Sequence, residues 1–158
     1  MRRLEVKTPF GDPSGPITIG ELNAVECAFL PRHGVGHVLL PSEINARANI
    51  WALKSLGVER LIAVSAVGSL KEELAPQHFV FPDQIIDRSK GRASTFFGHG
   101  IVAHVAFDRP FCEDQSRLLA DKALGLGLTA HAGGTYLCME GPAFSTKAES
   151  ALHRQMGC

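Results

Sequence analysis

The sequence predicts an α/β fold, a single domain over residues 1–158 with a sheet flanked by helices. Three observations lead there. Residues 61–70, LIAVSAVGSL, open on branched apolar side chains and change at Ser65 to small and polar ones. That is the pattern of a strand buried on both faces that ends at a ligand crevice. Residues 43–56 carry helical periodicity and lead directly into this run, a helix-then-strand step. A second such step follows, in which a helix over 113–126 precedes a strand at 136–139.

Taken in order, residues 7–16, KTPFGDPSGP, are dense in Pro and Gly and read as a loop. Short strands follow near 17–19 and 25–30, with residues 20–24 turning between them, and PRHGVGH (31–37) is a Gly-containing loop. Pro41-Ser42-Glu43 reads as a helix start: Ser42 caps and Glu43 complements the positive helix end. Ile44, Ala48, Trp51, Ala52 and Leu56 then make one apolar face, and Gly57 stops the helix. Beyond the strand at 61–66, residues 79–82 form a short strand that continues into 84–87. Residues 89–100 are irregular, and 101–107 read as a strand. The helix over 113–126 places Leu118, Leu119, Ala123 and Leu126 on one face. After the strand at 136–139 comes a loop, EGPAFS (140–145), and Thr146 with Glu149 forms a capping box for a last helix ending at Gly157. Neither end has the element expected beside it, so the fold reads as incomplete, the middle of a domain.

Lys plus Arg and Asp plus Glu each number 16, so the net charge is zero and no basic cluster marks a nucleic-acid face. No apolar run approaches a membrane span, and MRRLEV is not a signal core. A soluble, cytoplasmic protein is expected. Cys27, Cys112, Cys138 and Cys158 are scattered without a CxxC pair, which argues against zinc and against a disulfide framework. Cys27 and Cys138 lie in apolar runs and read as core thiols.

Three loops follow strands, at 31–37, 65–69 and 140–146, and the fold class gathers them on one edge of the sheet. In the first, the Arg32 guanidinium offers a planar fork of donors suited to phosphate, and His33 can donate to the same anion. An ordinary surface Arg-His pair fits the same letters. A metal pair of His33 and His37 has helical i,i+4 spacing, but Gly34 and Gly36 oppose a helix. In the second loop, the Ser65 hydroxyl and the amides of residues 66–69 offer donors to an anion. In the third, Gly141-Pro142 sets a turn. Phe144 is then either a core side chain or a platform for a ring, and Ser145 either a ring contact or a cap.

RHGVGH, NIWALKSLGV, VSAVGSL, TFFGHG, AHVAFDRPFC and EGPAFSTKAES, in this order over nearly the whole chain, resemble the purine nucleoside phosphorylases, most closely the methylthioadenosine phosphorylase branch. The resemblance implies one α/β domain with a partly barrel-like mixed sheet, in homotrimers or larger assemblies. It implies phosphorolysis of a purine nucleoside, with inorganic phosphate as co-substrate and no metal or redox cofactor. By resemblance Arg32, His33 and Ser65 bind phosphate, Ser65 standing where the family usually has Thr. Ala66 and His37 face the nucleoside, Phe144 stacks on the base, Ser145 lies beside it, and His104 reaches into a neighbouring subunit's site.

In the implied reaction, positive charge builds on the ribosyl ring as the glycosidic bond breaks. A phosphate dianion held against that face stabilises the charge and captures C1′. The family's leading strand and Gly-rich phosphate turn are not found here. Its ribosyl-contacting Met and purine-protonating Asp are expected beyond Cys158. Two other readings stay open: a non-catalytic remnant that binds phosphate or joins related subunits, and a 6-oxopurine nucleoside phosphorylase. A hydrolytic nucleosidase is disfavoured, because water needs no anion clamp. Ser145, where the 6-oxopurine branch has Glu, points to adenine.

Overall fold

In the computed structural model, which describes all 158 residues, Ile17 and Ile19 are the side chains around which the first of two units, Met1–Val64 with Gly91–Val102, is built. They alternate inward on β2 (Ile17–Leu22), the middle strand of an antiparallel meander between β1 (Arg2–Leu4) and β3 (Val25–Phe29). Leu4 pairs with Ile17 and Ala28 with Ile19. Leu22 pairs with Val25, leaving Asn23-Ala24 as a two-residue hairpin loop with φ of 49° and 61°. That is the primed turn whose twist suits a hairpin.

Helix α1 (Ala46–Ser55) adds Ala52 and Leu53 to the same core, with Val6, Leu30 and Val58 around them. It begins later than Ser42 and Glu43 suggested. Residues Pro41–Glu43 form a separate 3₁₀ turn, and the cap is Asn45, whose side chain accepts from the Ala48 N–H at 3.2 Å. Its amide also donates to the Phe10 carbonyl at 2.6 Å. The buried face is therefore Ala48, Asn49, Ala52 and Leu53, rotated from the expected stripe, and Leu56 is exposed. Buried Asn49 explains the rotation: its amide group bonds both the Ser14 N–H, at 2.8 Å, and the Ser14 hydroxyl, at 2.9 Å. These bonds fix the Pro- and Gly-rich loop on the helix. Gly57, with φ of 82°, closes the helix as expected: its N–H reaches Lys54 and that of Val58 reaches Leu53.

The second unit comprises Ser65–Lys90 and Ala103–Cys158. Strand β4 (Phe79–Phe81) pairs in parallel with β6 (Ala130–Ala132), and β5 (Gln84–Asp87) in parallel with β7 (Thr135–Cys138). Both ladders break together, at Pro82-Asp83 and Gly133-Gly134. Pro82 has no N–H to donate. The Gly134 carbonyl accepts from both Asp83 and Gln84, and its N–H donates to the Asp83 carboxylate at 3.0 Å. The helix α2 (Glu113–Gly125) crosses between β4 and β6 and packs on both. Its buried residues are Ala120 and Ala123 and Leu119 is half-buried, so Leu119 and Ala123 of the expected face are packed, while Leu118 and Leu126 are exposed. Helix α3 (Lys147–Gln155) carries the expected capping box, with Glu149 N–H on the Thr146 hydroxyl and Thr146 N–H on the Glu149 carboxylate.

Two strand expectations fail. Residues 61–66 and 101–107 form no paired strand, and their side chains are exposed. Apolar composition makes a segment ready for a sheet, but a strand exists only where a neighbour supplies the other half of the ladder. Cys27 and Cys138 are half-buried rather than core thiols; the buried thiol is Cys158. All four cysteines are free. No helix is long and apolar enough to cross a membrane.

Candidate functional site

The loop at 31–37 is built by Gly34. This residue is buried, has φ of 75°, and donates from its N–H to the Pro31 carbonyl at 2.8 Å. A Cβ here would lie 3.1 Å from Val38 Cγ2 and 3.3 Å from the Ser14 carbonyl, so glycine alone fits. The turn brings the Val38 and Leu39 N–H groups onto the His33 carbonyl, at 2.9 and 3.0 Å. The His33 ring turns the same way, its Nδ1 standing 2.9 Å from the Leu39 carbonyl. A carbonyl only accepts, so Nδ1 carries the proton and Nε2 is left to face outward. Nε2 lies 3.5 Å from the Arg32 guanidinium. His37, at φ of 57°, stacks its ring on that of His33 with centroids 4.3 Å apart and planes 9° from parallel. A loop with left-handed backbone at Gly34, Gly36 and His37 is not a helix, so the i,i+4 spacing of the two histidines lacks the geometry of a metal pair. Arg32 and His37 are exposed and His33 is half-buried, which leaves a cation and two imidazoles on one short loop.

Ser65, Ala66, His104, Phe144 and Ser145 belong to the second unit. Ser65 and Ala66 are exposed within the run that begins at Leu61, and His104 is exposed within 101–107. Phe144 is 91% exposed, which removes the core reading of this side chain and leaves an apolar ring presented to solvent. The loop beneath it is anchored at both ends. The Arg88 N–H donates to the Cys138 carbonyl, and the Glu140 carboxylate accepts from the Lys90 N–H. Glu149 closes the far end by capping α3. The Thr146 N–H and hydroxyl hold its carboxyl below the usual carboxylate range. Ser145 is half-buried, and its hydroxyl donates to Met139 Sδ at 2.7 Å and stands 3.5 Å from Nδ1 of buried His153. It is not the helix cap; Thr146 is.

Sequence reasoning assigned nothing to Met139, His153 or the Leu39 carbonyl. His153 is buried while Leu152 of α3 and Met156 at its C-terminal cap are exposed, so no apolar stripe signalled it beforehand. A cavity of about 460 Å³ in the first unit was also missed. Its wall includes Phe10, Arg47, Phe96 and His99. Arg47 lies over the Phe10 ring at 5.2 Å, and Phe10 meets Phe96 edge to face. Phe96 and His99 come from the TFFGHG motif, to which no role had been given.

The whole chain, residues 1–158, matches the family model described as the phosphorylase superfamily. The chain belongs to that superfamily. Among its curated relatives is the S-methyl-5'-thioadenosine phosphorylase of Geobacter sulfurreducens, 57% identical over 158 residues, covering 99% of this chain and 55% of that protein. The protein of the same name from Chloroflexus aurantiacus is 60% identical over 155 residues, covering 98% and 54%. A crystal structure of a methylthioadenosine phosphorylase from an antarctic soil metagenomic library superposes with a TM-score of 0.97 at 51% identity, covering 99% of this chain and 56% of that one. The methylthioadenosine phosphorylase of Schistosoma mansoni in complex with adenine gives 0.95 at 38% identity, with 99% and 64% covered. The superfamily chain described here thus spans about 55% of the length of those curated relatives. Its mixed α/β fold is that of the solved phosphorylases over this span.

Proposed function

We propose that this chain carries the phosphate- and base-binding half of a methylthioadenosine phosphorylase-type enzyme, which transfers a (5-methylthio)ribosyl group from a purine to inorganic phosphate. The observation that most supports this is the 0.95 TM-score match to a methylthioadenosine phosphorylase bound to adenine, over 99% of the chain. Arg32 and His33 hold the phosphate dianion. The guanidinium supplies the planar fork, and His33, its Nδ1 proton committed to Leu39, meets the anion through Nε2 and donates from it once protonated. Ser65 adds a hydroxyl to the same anion. Held against the ribosyl ring, the dianion stabilises the developing positive charge and then bonds to C1′, while the C1′–N9 electron pair leaves with the purine.

Exposed Phe144 is the platform on which the purine stacks, with Ala66 and His37 lining the nucleoside. His104 reaches a neighbouring subunit's site in a homotrimer or larger assembly, in the cytoplasm. Neither a metal nor a redox cofactor enters the reaction, since phosphate is both nucleophile and charge stabiliser. The purine needs a proton as it leaves, and no residue of these 158 is assigned that role. Such a transfer contributes roughly 10²–10⁴ in rate.

Replacing Arg32 by Ala tests the anion assignment directly. Phosphate binding measured by titration calorimetry on the chain should weaken by at least about tenfold, since a charge-assisted hydrogen bond contributes about 1.5–3 kcal/mol. Unchanged phosphate affinity would refute the assignment.

A further inference from the structure

The cavity of about 460 Å³ in the first unit has no part in the proposed reaction, and its volume lies in the range of small-molecule sites. Two tight turns shape it. In the first, Thr8 and Gly11 are bridged, the Gly11 N–H donates to the Thr8 carbonyl at 3.3 Å, and the Phe10 N–H donates to the Thr8 hydroxyl at 3.1 Å. The Phe10 carbonyl accepts from the Asn45 amide at 2.6 Å, which ties this turn to the cap of α1. In the second, Gly98 and Ile101 are bridged, and the Ile101 N–H donates to the Gly98 carbonyl at 3.0 Å. The Phe10 and Phe96 rings meet edge to face with centroids 5.2 Å apart. Backbone bonds within the chain therefore hold the aromatic wall in place.

Arg47 stands at this wall in a position that the helix by itself disfavours. It is the second residue of α1, where the positive end of the helix dipole repels a cation, and the first turn has no acidic residue to offset it. Its guanidinium carbon lies 5.2 Å from the centroid of the Phe10 ring, yet its N–H groups have no acceptor within the chain. No acidic residue lines the cavity. A half-buried guanidinium with open N–H groups favours an anion, and its planar fork matches a carboxylate. The rings beside it favour a flat apolar body. An aliphatic anion leaves the rings uncovered, and a neutral arene leaves the Arg47 donors unmatched. We propose that this cavity binds a planar aromatic carboxylate, with the carboxylate on Arg47 and the ring against Phe10 and Phe96, at a site separate from the Arg32–His33 loop.

Titration calorimetry on the 158-residue chain, with 2-naphthoate and its neutral counterpart 2-naphthamide as probes, tests this. The acid should bind at one site per chain, at least about tenfold more tightly than the amide, as charge-assisted hydrogen bonds require. Arg47→Gln removes the charge from a position where the helix dipole opposes it, so the helical circular dichroism signal should be kept while the two affinities converge. Phe96→Leu should weaken both probes and preserve the preference for the acid. Equal affinities in the unmodified chain, a preference that survives Arg47→Gln, or no binding at all would overturn the inference. Excess inorganic phosphate should leave naphthoate binding unchanged; displacement by phosphate would put the probe on the Arg32–His33 loop and overturn it too. Nuclear magnetic resonance shifts on adding naphthoate should centre on Phe10, Arg47 and Phe96. Shifts confined to the exposed apolar run from Leu61 to Val67 would show non-specific adhesion and refute the site.

Discussion

Glu149 joins sequence to stability through two contacts that are both local. Its carboxylate accepts from the Thr146 N–H at 2.7 Å, and its own N–H donates to the Thr146 hydroxyl at 3.2 Å. Because Thr146 holds the carboxyl below its usual range, the folded form binds its proton less readily than the unfolded chain. The stabilisation is therefore present above the unfolded carboxylate pKa and is lost as pH falls through the lowered folded value. Amide exchange in the first turn of α3 should accelerate over that acid window, and Glu149→Gln should flatten the response. Removing the other half of the box, Thr146→Ala, should cost about 1 kcal/mol in denaturant unfolding. The Arg32–His33 pair is the contrasting residue-scale case. The letters predicted an anion site, but the tautomer that leaves Nε2 outward is set by the Leu39 carbonyl, six residues away.

Among the elements, those that formed as expected are the ones closed by their own neighbours. The turn between β2 and β3, the Gly57 stop of α1 and the capping box of α3 each rest on contacts within six residues. The hairpin turn still carries a misfit. Ala24 sits at φ of 61°, a conformation that costs a side-chain-bearing residue about 1–2 kcal/mol, whereas glycine after Asn23 would match the primed turn. Ala24→Gly should therefore raise stability by about 0.5–1 kcal/mol, net of the extra freedom glycine gains on unfolding. An unchanged or lowered thermal midpoint would show that the neighbouring strands, not the turn, set the strain. Strand β6, by contrast, was invisible beforehand. Ala130-His131-Ala132 has little β-propensity and exists because β4 offers a parallel partner and α2 covers the pair.

At the scale of the whole molecule the chain shows exposed apolar side chains that sequence reasoning had placed inside. Val64 is 84% exposed and Val105 78%, and Leu61, Ile62, Ile101 and Phe107 are exposed with them. Apolar side chains left exposed in such numbers are adhesive. The 158-residue chain should accordingly bind a hydrophobic dye and self-associate with rising concentration. Val64→Lys with Val105→Lys should reduce both effects without lowering the helical circular dichroism signal. Dye binding unchanged by the pair of lysines would locate the adhesive side chains elsewhere.

What the sequence determined by itself was what short-range physics writes into adjacent letters. The α/β class was read from two helix-then-strand steps, of which the one from α2 to β7 stands and the one ending at residues 61–66 does not, and the turns from glycines at left-handed positions. The superfamily was carried by six motifs in one order. The three candidate loops were chosen on the same kind of signal, because small residues, a cation and a hydroxyl after an apolar run are local features. Tertiary structure alone decided which apolar runs became paired strands, which helix faces were buried and which polar atoms faced one another. Asn49 turned α1 toward Ser14, 35 residues away, against the apolar stripe. His153 found Ser145 only because α3 folds back over its own N-terminal loop. Burial and ladder pairing depend on partners distant in the chain, and a pattern read along one segment cannot carry their positions.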